Sequence, residues 1–242
     1  MIDNVTHKFK ELRLKNCADN IELVLKQAQQ HNLSCLQAID RLLDIELEKR
    51  RMNRIALRFR QSKLSEKTTI DQFDFNHHKS RQKQKNLILQ LMDLDFIKEG
   101  KDIILIGNPG VGKSFIAKCL AYSATQKGIK TLFTSTMDML NHLIAAEADH
   151  SLLKKLKYYQ TPDLLVCDEI GYLPLGKQGS NLFFQVISAR HEKKSSIITT
   201  NLPFAEWGNI FDGTTAATAI ADRLVHNSEI LILEGKSYRQ RT

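Results

Sequence analysis

Glycine and proline are absent from residues 1–64. A stretch without either has no ready turn-former or helix-breaker and reads as a helical module. Cysteine is sparse: Cys17, Cys35, Cys119 and Cys167 are scattered, with no C-x-x-C pair. That excludes a disulfide scaffold and a cysteine-ligated zinc site, and leaves packing thiols in a reducing cytoplasm as the expectation. No apolar run approaches the ~18–20 residues of a membrane span. The first residues, Met1 to Lys8, carry no apolar signal-peptide core, so no membrane role is expected. The pair His77-His78 has no third ligand at metal-binding spacing and reads as a surface turn. Acidic residues are outnumbered, 27 against 35 Lys and Arg, giving a net charge of +8 and suggesting a polyanionic partner. With 42% hydrophobic and 26% charged residues, the chain as a whole reads as a soluble protein with a sizeable core.

The N-terminal module is expected over 1–66, with a linker at 67–85 and the main domain at 86–242. Ile21, Leu25 and Ala28 repeat at helical spacing, as do Leu36, Ile39, Leu43 and Leu47. These predict helices over about 19–31 and 35–61, with Ser34 placed to cap the second. From Lys49 to Lys67 there are eight basic residues against the single acid Glu66. Arg50, Arg54 and Arg58 recur every four residues, with Arg51 beside them. Arginine on a rigid helix suits DNA phosphate contacts, because its planar fork bonds two oxygens and keeps its charge. The same pattern also fits a solvated helix face. Few aromatics accompany it, so backbone contact with little sequence preference is the expected mode.

The main domain turns on Gly107-Asn108-Pro109-Gly110-Val111-Gly112-Lys113-Ser114, which fits G-x-x-x-x-G-K-[ST]. The apolar run Ile103–Ile106 before it predicts a buried strand. Phe115 to Lys127 after it predicts a helix. A glycine-rich loop between strand and helix turns its backbone N–H groups, and the positive end of the helix, toward phosphate. Lys113 is placed to reach the β- and γ-phosphates of ATP, and Ser114 to hold Mg²⁺. Farther on, Leu164-Leu165-Val166-Cys167 runs into Asp168-Glu169. Asp168 would join the Mg²⁺ shell, and Glu169 would activate the attacking water. Ser195 to Thr200 predicts another strand, ending at Asn201, which would orient that water. Alternating strands and helices imply right-handed crossovers and an α/β fold with a central parallel sheet. Arg223 has two readings from the residues alone: an ion pair with Asp222, or an arginine supplied across a subunit boundary to the γ-phosphate.

These signatures together resemble the Walker A, Walker B and sensor 1 pattern of AAA+ ATPases. The strings Asp168-Glu-Ile-Gly-Tyr-Leu-Pro-Leu175, Thr200-Asn-Leu-Pro-Phe-Ala-Glu-Trp207, Asp222-Arg-Leu224 and Glu234-Gly-Lys-Ser-Tyr-Arg239 are more particular. They resemble the IstB family, the ATP-binding helpers of IS21-type insertion sequences, as does Thr69-Ile-Asp-Gln-Phe-Asp-Phe75 behind an Arg-rich module. The resemblance implies a three-layer P-loop domain with sheet order 5-1-4-3-2. It also implies ATP-dependent homo-oligomers on double-stranded DNA and recruitment of a cognate transposase. It assigns Arg223 as arginine finger and Arg239 as a sensor-2-like contact to the nucleotide. Ser114 stands where the family commonly has Thr, and both hydroxyls can bind Mg²⁺.

Two other functions fit parts of the pattern. One is a DnaC-type helicase loader, which would favour single-stranded DNA. The other is a P-loop metabolic phosphotransferase, which the Asp168-Glu169 pair suits less well, because Glu169 serves water activation.

Overall fold

The computed structural model describes residues 2–171 and 173–238, so Arg239 lies outside the described residues. The chain divides into two compact units, residues 1–57 and 58–242.

The first unit holds α1 (Ile2–Glu11), α2 (Lys15–Gln30) and most of α3 (Cys35–Gln61). Its core is small: Cys17, Ile21, Val24, Ala38 and Leu42. Ser34 caps α3 as expected, accepting from the Gln37 N–H while its own N–H donates to Gln37 Oε1, a reciprocal capping box. α3 does not bury the row that its sequence advertises. Leu36, Ile39, Leu43 and Leu47 are exposed, while Ala38, Leu42 and Glu46 face inward. The inward face is chosen by a polar contact. Glu46 Oε2 accepts from the N–H groups of Asn16 (2.8 Å) and Cys17 (3.3 Å), satisfying donors at the start of α2. Arg50 bonds Glu46 Oε1 at 2.7 Å and the Arg13 carbonyl at 2.7 Å. Burial alone would raise the Glu46 carboxyl, but these donors outweigh it and hold it below the usual carboxylate range.

The second unit is a sheet of five parallel strands between helices. It comprises α4 (Lys79–Leu91), α5 (Asp95–Lys98), β1 (Asp102–Gly107), α6 (Lys113–Gln126), β2 (Thr131–Ser135), α7 (Thr136–Ala148), α8 (Leu152–Gln160), β3 (Leu164–Ile170), α9 (Gly176–Arg190), β4 (Ser195–Thr200), α10 (Gly213–His226) and β5 (Ser228–Leu233). The strand order is β2-β3-β4-β1-β5, the expected 5-1-4-3-2 read from the other edge. Side chains alternate across each strand, so both faces carry a core. Ile104, Leu165 and Ile198 meet Leu143, Phe183, Trp207 and Ile220 on one side. Ile103, Leu105, Val166 and Leu231 meet Ile88, Ile116 and Leu120 on the other.

A buried polar knot closes the edge of the sheet opposite the site. Arg190 donates to the carbonyls of Tyr159, Gln160, Pro162 and Ser195 and to Ser196 Oγ. Asp102 Oδ1 accepts from the Ser196 N–H at 2.6 Å. Burial pushes the Asp102 carboxyl up to about 7 and the Arg190 guanidinium down to about 10.

The stretch 67–85, expected as a linker, is ordered. It forms two short 3-10 turns, Ile70–Gln72 and Phe75–His77, before α4 begins. His78 caps α4 by accepting from the Ser80 N–H, and His77 Nε2 lies 3.3 Å from the Lys236 carbonyl oxygen. The cysteines are free thiols, with Cys17, Cys119 and Cys167 buried and Cys35 exposed. Among the described residues, no helix is long and apolar enough to cross a membrane.

Candidate active site

β1 delivers the phosphate loop to the carboxyl edge of the sheet, where an open parallel sheet binds ligands. Gly107 ends the strand at φ +154°, and a Cβ there would lie 2.0 Å from the Leu233 carbonyl oxygen. Only glycine lets β1 run that close to β5. Gly112 opens α6 at φ +105°, where a Cβ would stand 2.6 Å from Phe73 Cε2. Lys113 folds back across the loop, its Nζ donating to the carbonyls of Gly107 (2.6 Å) and Asn108 (2.9 Å).

The two nucleotide signatures, 54 residues apart, meet side chain to side chain. Ser114 Oγ donates to Asp168 Oδ1 at 2.8 Å. Thr199 Oγ1, inside β4, donates to the same oxygen at 2.5 Å and accepts from the Glu169 N–H at 2.8 Å. Glu169 is thereby turned out of the strand. Its φ is +61°, and the β3–β4 register shifts between Cys167 and Ile170. A bulge of this kind re-aims a side chain, and such backbone strain concentrates at functional sites. Glu169 consequently lines a cavity of about 410 Å³ together with Pro109, Gly110, Lys113, Ser114 and Asn201.

The donor set fits Mg²⁺. A hydroxyl and one carboxylate are hard oxygen ligands, and Mg²⁺ characteristically takes one or two protein oxygens alongside phosphate and water. No cluster of three His, Cys, Asp or Glu side chains occurs among the described residues. Bound there, the ion would neutralise charge on the β- and γ-phosphates. Of the chain's own groups, the loop N–H groups and Lys113 would hold phosphate, and Glu169 and Asn201 line the same cavity.

Of the other residues in and beside the loop, Val111 is buried and Phe115 lines the same cavity. Arg223 lies on α10, outside this cavity. Its Nη1 donates to the Ala219 carbonyl at 3.0 Å and its guanidinium stands 4.5 Å over the Phe184 ring, so it does not reach the site of its own chain. The alternative reading of Arg223, an ion pair with Asp222, is not seen among the described residues, where these contacts hold the side chain. The arginine row is not a set of equivalent free cations. Arg50 is tied to Glu46, Arg51 pairs with Glu48 at 3.5 Å, and Arg58 donates to the Gly128 carbonyl at 3.1 Å; Arg54 is exposed.

Sequence reasoning missed Thr199 and a second wall of the cavity made by Gln72, Phe73, Asp74, Arg81, Lys118 and Tyr238. The available signal was Ile70, Phe73 and Phe75 spaced through a polar stretch. That pattern marks a segment docked on something apolar.

The sequence profile described as "IstB-like ATP binding protein" matches residues 7–242. The chain belongs to this family. A relative from Geobacillus stearothermophilus, described as an ATP-binding protein of insertion sequence IS5376, is 36% identical over 241 residues, covering 100% of this chain and 95% of its own. A Pseudomonas aeruginosa relative from insertion sequence IS21 is 33% identical, covering 96% of this chain and 86% of its own. Among solved structures, the DnaC helicase loader superposes with a TM-score of 0.56 at 24% identity, over 69% of this chain and 96% of its own. AMPPCP-bound DnaA from Aquifex aeolicus superposes with a TM-score of 0.60 at 15% identity, over 73% of this chain and 53% of its own. These two likenesses show a shared α/β fold, and the family supports ATP binding at the loop described above.

Proposed function

We propose that this IstB-like protein is an ATPase that regulates DNA transposition. It binds ATP with Mg²⁺, assembles as an oligomer on duplex DNA and recruits a cognate transposase. The observation that carries the hydrolytic part is the Ser114–Asp168–Thr199 link, with Glu169 turned by the adjoining bulge into the cavity. A metal-binding hydroxyl, a metal-binding carboxylate and a free carboxylate stand in the order that water attack on a γ-phosphate needs. The insertion-sequence origin of the relatives supports the transposition context. The position of Arg223 outside its own cavity supports a role in trans, completing a neighbour's site. Arg239 is assigned to the nucleotide by family resemblance alone. Of the arginine row, Arg50, Arg51 and Arg54 are exposed, and Arg50 is in addition tied to Glu46.

The test is binding to duplex and single-stranded DNA with ATP, with ADP and without nucleotide, followed by sedimentation of the complexes. ATP-dependent oligomers on duplex DNA are the expected result. A preference for single strands would move the reading to a helicase loader. Nucleotide hydrolysis with no DNA binding in any state would leave an ATPase of another kind.

A further inference from the structure

Arg81 is sealed from solvent, 2% exposed, in the first turn of α4. Two of its N–H groups converge on one oxygen, with Nε 3.1 Å and Nη2 2.8 Å from the Val111 carbonyl. Its Nη1 donates to the Asp74 carbonyl at 3.0 Å, and its guanidinium carbon stands 4.5 Å over the Phe73 ring and 5.2 Å over the Tyr238 ring. Phe73 and Arg81 also wall the next α-carbon. A Cβ on Gly112 would lie 2.6 Å from Phe73 Cε2 and 3.3 Å from Arg81 Nη2. From the far side, the Tyr238 N–H donates to the Gly110 carbonyl at 2.9 Å.

A peptide unit is planar and trans, so its N–H points opposite to its C=O. Holding the Val111 oxygen on the guanidinium therefore turns the Gly112 N–H of the same peptide away from Arg81, at the point where α6 begins and the loop would receive phosphate. Hydrogen bonds from a charged donor are stronger than those between neutral groups, and two of them meet on this one oxygen. A loop whose N–H groups already point inward spends no binding energy on ordering them.

We propose that Arg81 is the positioning residue of the phosphate loop: through the Val111 carbonyl it presets the Gly112 N–H for a β-phosphate. The inference rests on the nucleotide-binding reading of this loop. It makes a selective demand. Ligands with a β-phosphate, or its equivalent, depend on Arg81, and a nucleoside monophosphate does not.

Affinities for ADP, inorganic pyrophosphate and AMP are to be measured for the wild type and for Arg81→Lys and Arg81→Ala, the last with and without millimolar guanidinium. Lysine keeps the charge but not the fork. The expected result for Arg81→Lys is a common loss of about tenfold for ADP and pyrophosphate, equivalent to about 1.4 kcal/mol, with AMP unchanged. Added guanidinium should restore ADP binding to Arg81→Ala. Arg81→Lys binding ADP as tightly as the wild type would overturn the inference alone. So would an equal loss for AMP, which marks a general packing role. A wild-type protein that binds neither ADP nor pyrophosphate would overturn the nucleotide reading, and this inference with it. Melting temperatures identify a variant that fails to fold; if Arg81→Ala does, Arg81→Lys carries the comparison.

Discussion

Lys113, Glu169 and Arg50 are three charged side chains with three different positions. Lys113 is buried and bonded to loop carbonyls, which are the acceptors it would trade for phosphate oxygens. Lys113→Ala should therefore abolish the rise in melting temperature that saturating ATP gives the wild type, an increase set by ligand concentration relative to Kd. Glu169 is exposed, and its backbone N–H donates to Thr199 Oγ1. Glu169→Gln should leave ATP affinity near wild type and slow steady-state hydrolysis by roughly 10²-fold or more, the usual scale for losing a general base. Turnover at the wild-type rate would remove Glu169 from the reaction. Arg50, on the arginine row, also neutralises a buried carboxylate. Removing it leaves Glu46 charged and less well paired. Arg50→Ala should accordingly cost about 1–3 kcal/mol of stability, whereas exposed Arg54→Ala should stay within about 0.5 kcal/mol. Urea unfolding of both variants reads the difference.

At the scale of elements, two regions join strands through buried polar atoms. One is the Asp168–Thr199 contact at the carboxyl edge of the sheet, and the other is the Asp102–Ser196–Arg190 knot at the opposite edge. The second has a pH consequence. Burial lifts the Asp102 carboxyl to about 7, above its unfolded value of about 3.9. Between those values the folded state holds the proton that the unfolded state has released. The contribution of this group to stability is therefore greatest below about pH 4 and is lost as pH rises toward about 7. Asp102→Asn keeps an acceptor for the Ser196 N–H and removes the titration. Its stability should depend less on pH across that window than the wild type does, as followed by denaturant unfolding at several pH values. Two equally steep profiles would rule out Asp102 as the source.

At the scale of the whole molecule, the cavity of one chain is lined by Gly110, Lys113 and Ser114 of the loop and by Glu169 and Asn201, but not by Arg223. If Arg223 serves a neighbour, defects at the two places are complementary. Lys113→Ala keeps its arginine and loses its own site, while Arg223→Ala keeps its site and loses the arginine. Mixing the two inactive proteins with DNA should restore part of the ATPase activity, because some interfaces then pair an intact site with an intact arginine. No recovery in the mixture would remove Arg223 from the neighbour's site.

Much of this protein follows from short stretches of sequence. The loop Gly107–Ser114, the strand running into Asp168-Glu169 and the strand ending at Asn201 are local patterns. Each needs only a few consecutive residues to form a strand, a turn or a helix start, and the parallel sheet follows from their alternation. Ser34 capped α3 for the same reason. What folding alone decided are relations between distant residues. Thr199 joins Asp168 from 31 positions away, and Arg81 grips Val111 from 30. Neither residue type announces such a partner. The exposed row Leu36, Ile39, Leu43 and Leu47 makes the same point in reverse. Helical spacing shows that a face exists, but Glu46 and the open N-terminus of α2 selected which face turned inward. Periodicity is a property of one helix; burial depends on which other groups need that helix as a partner.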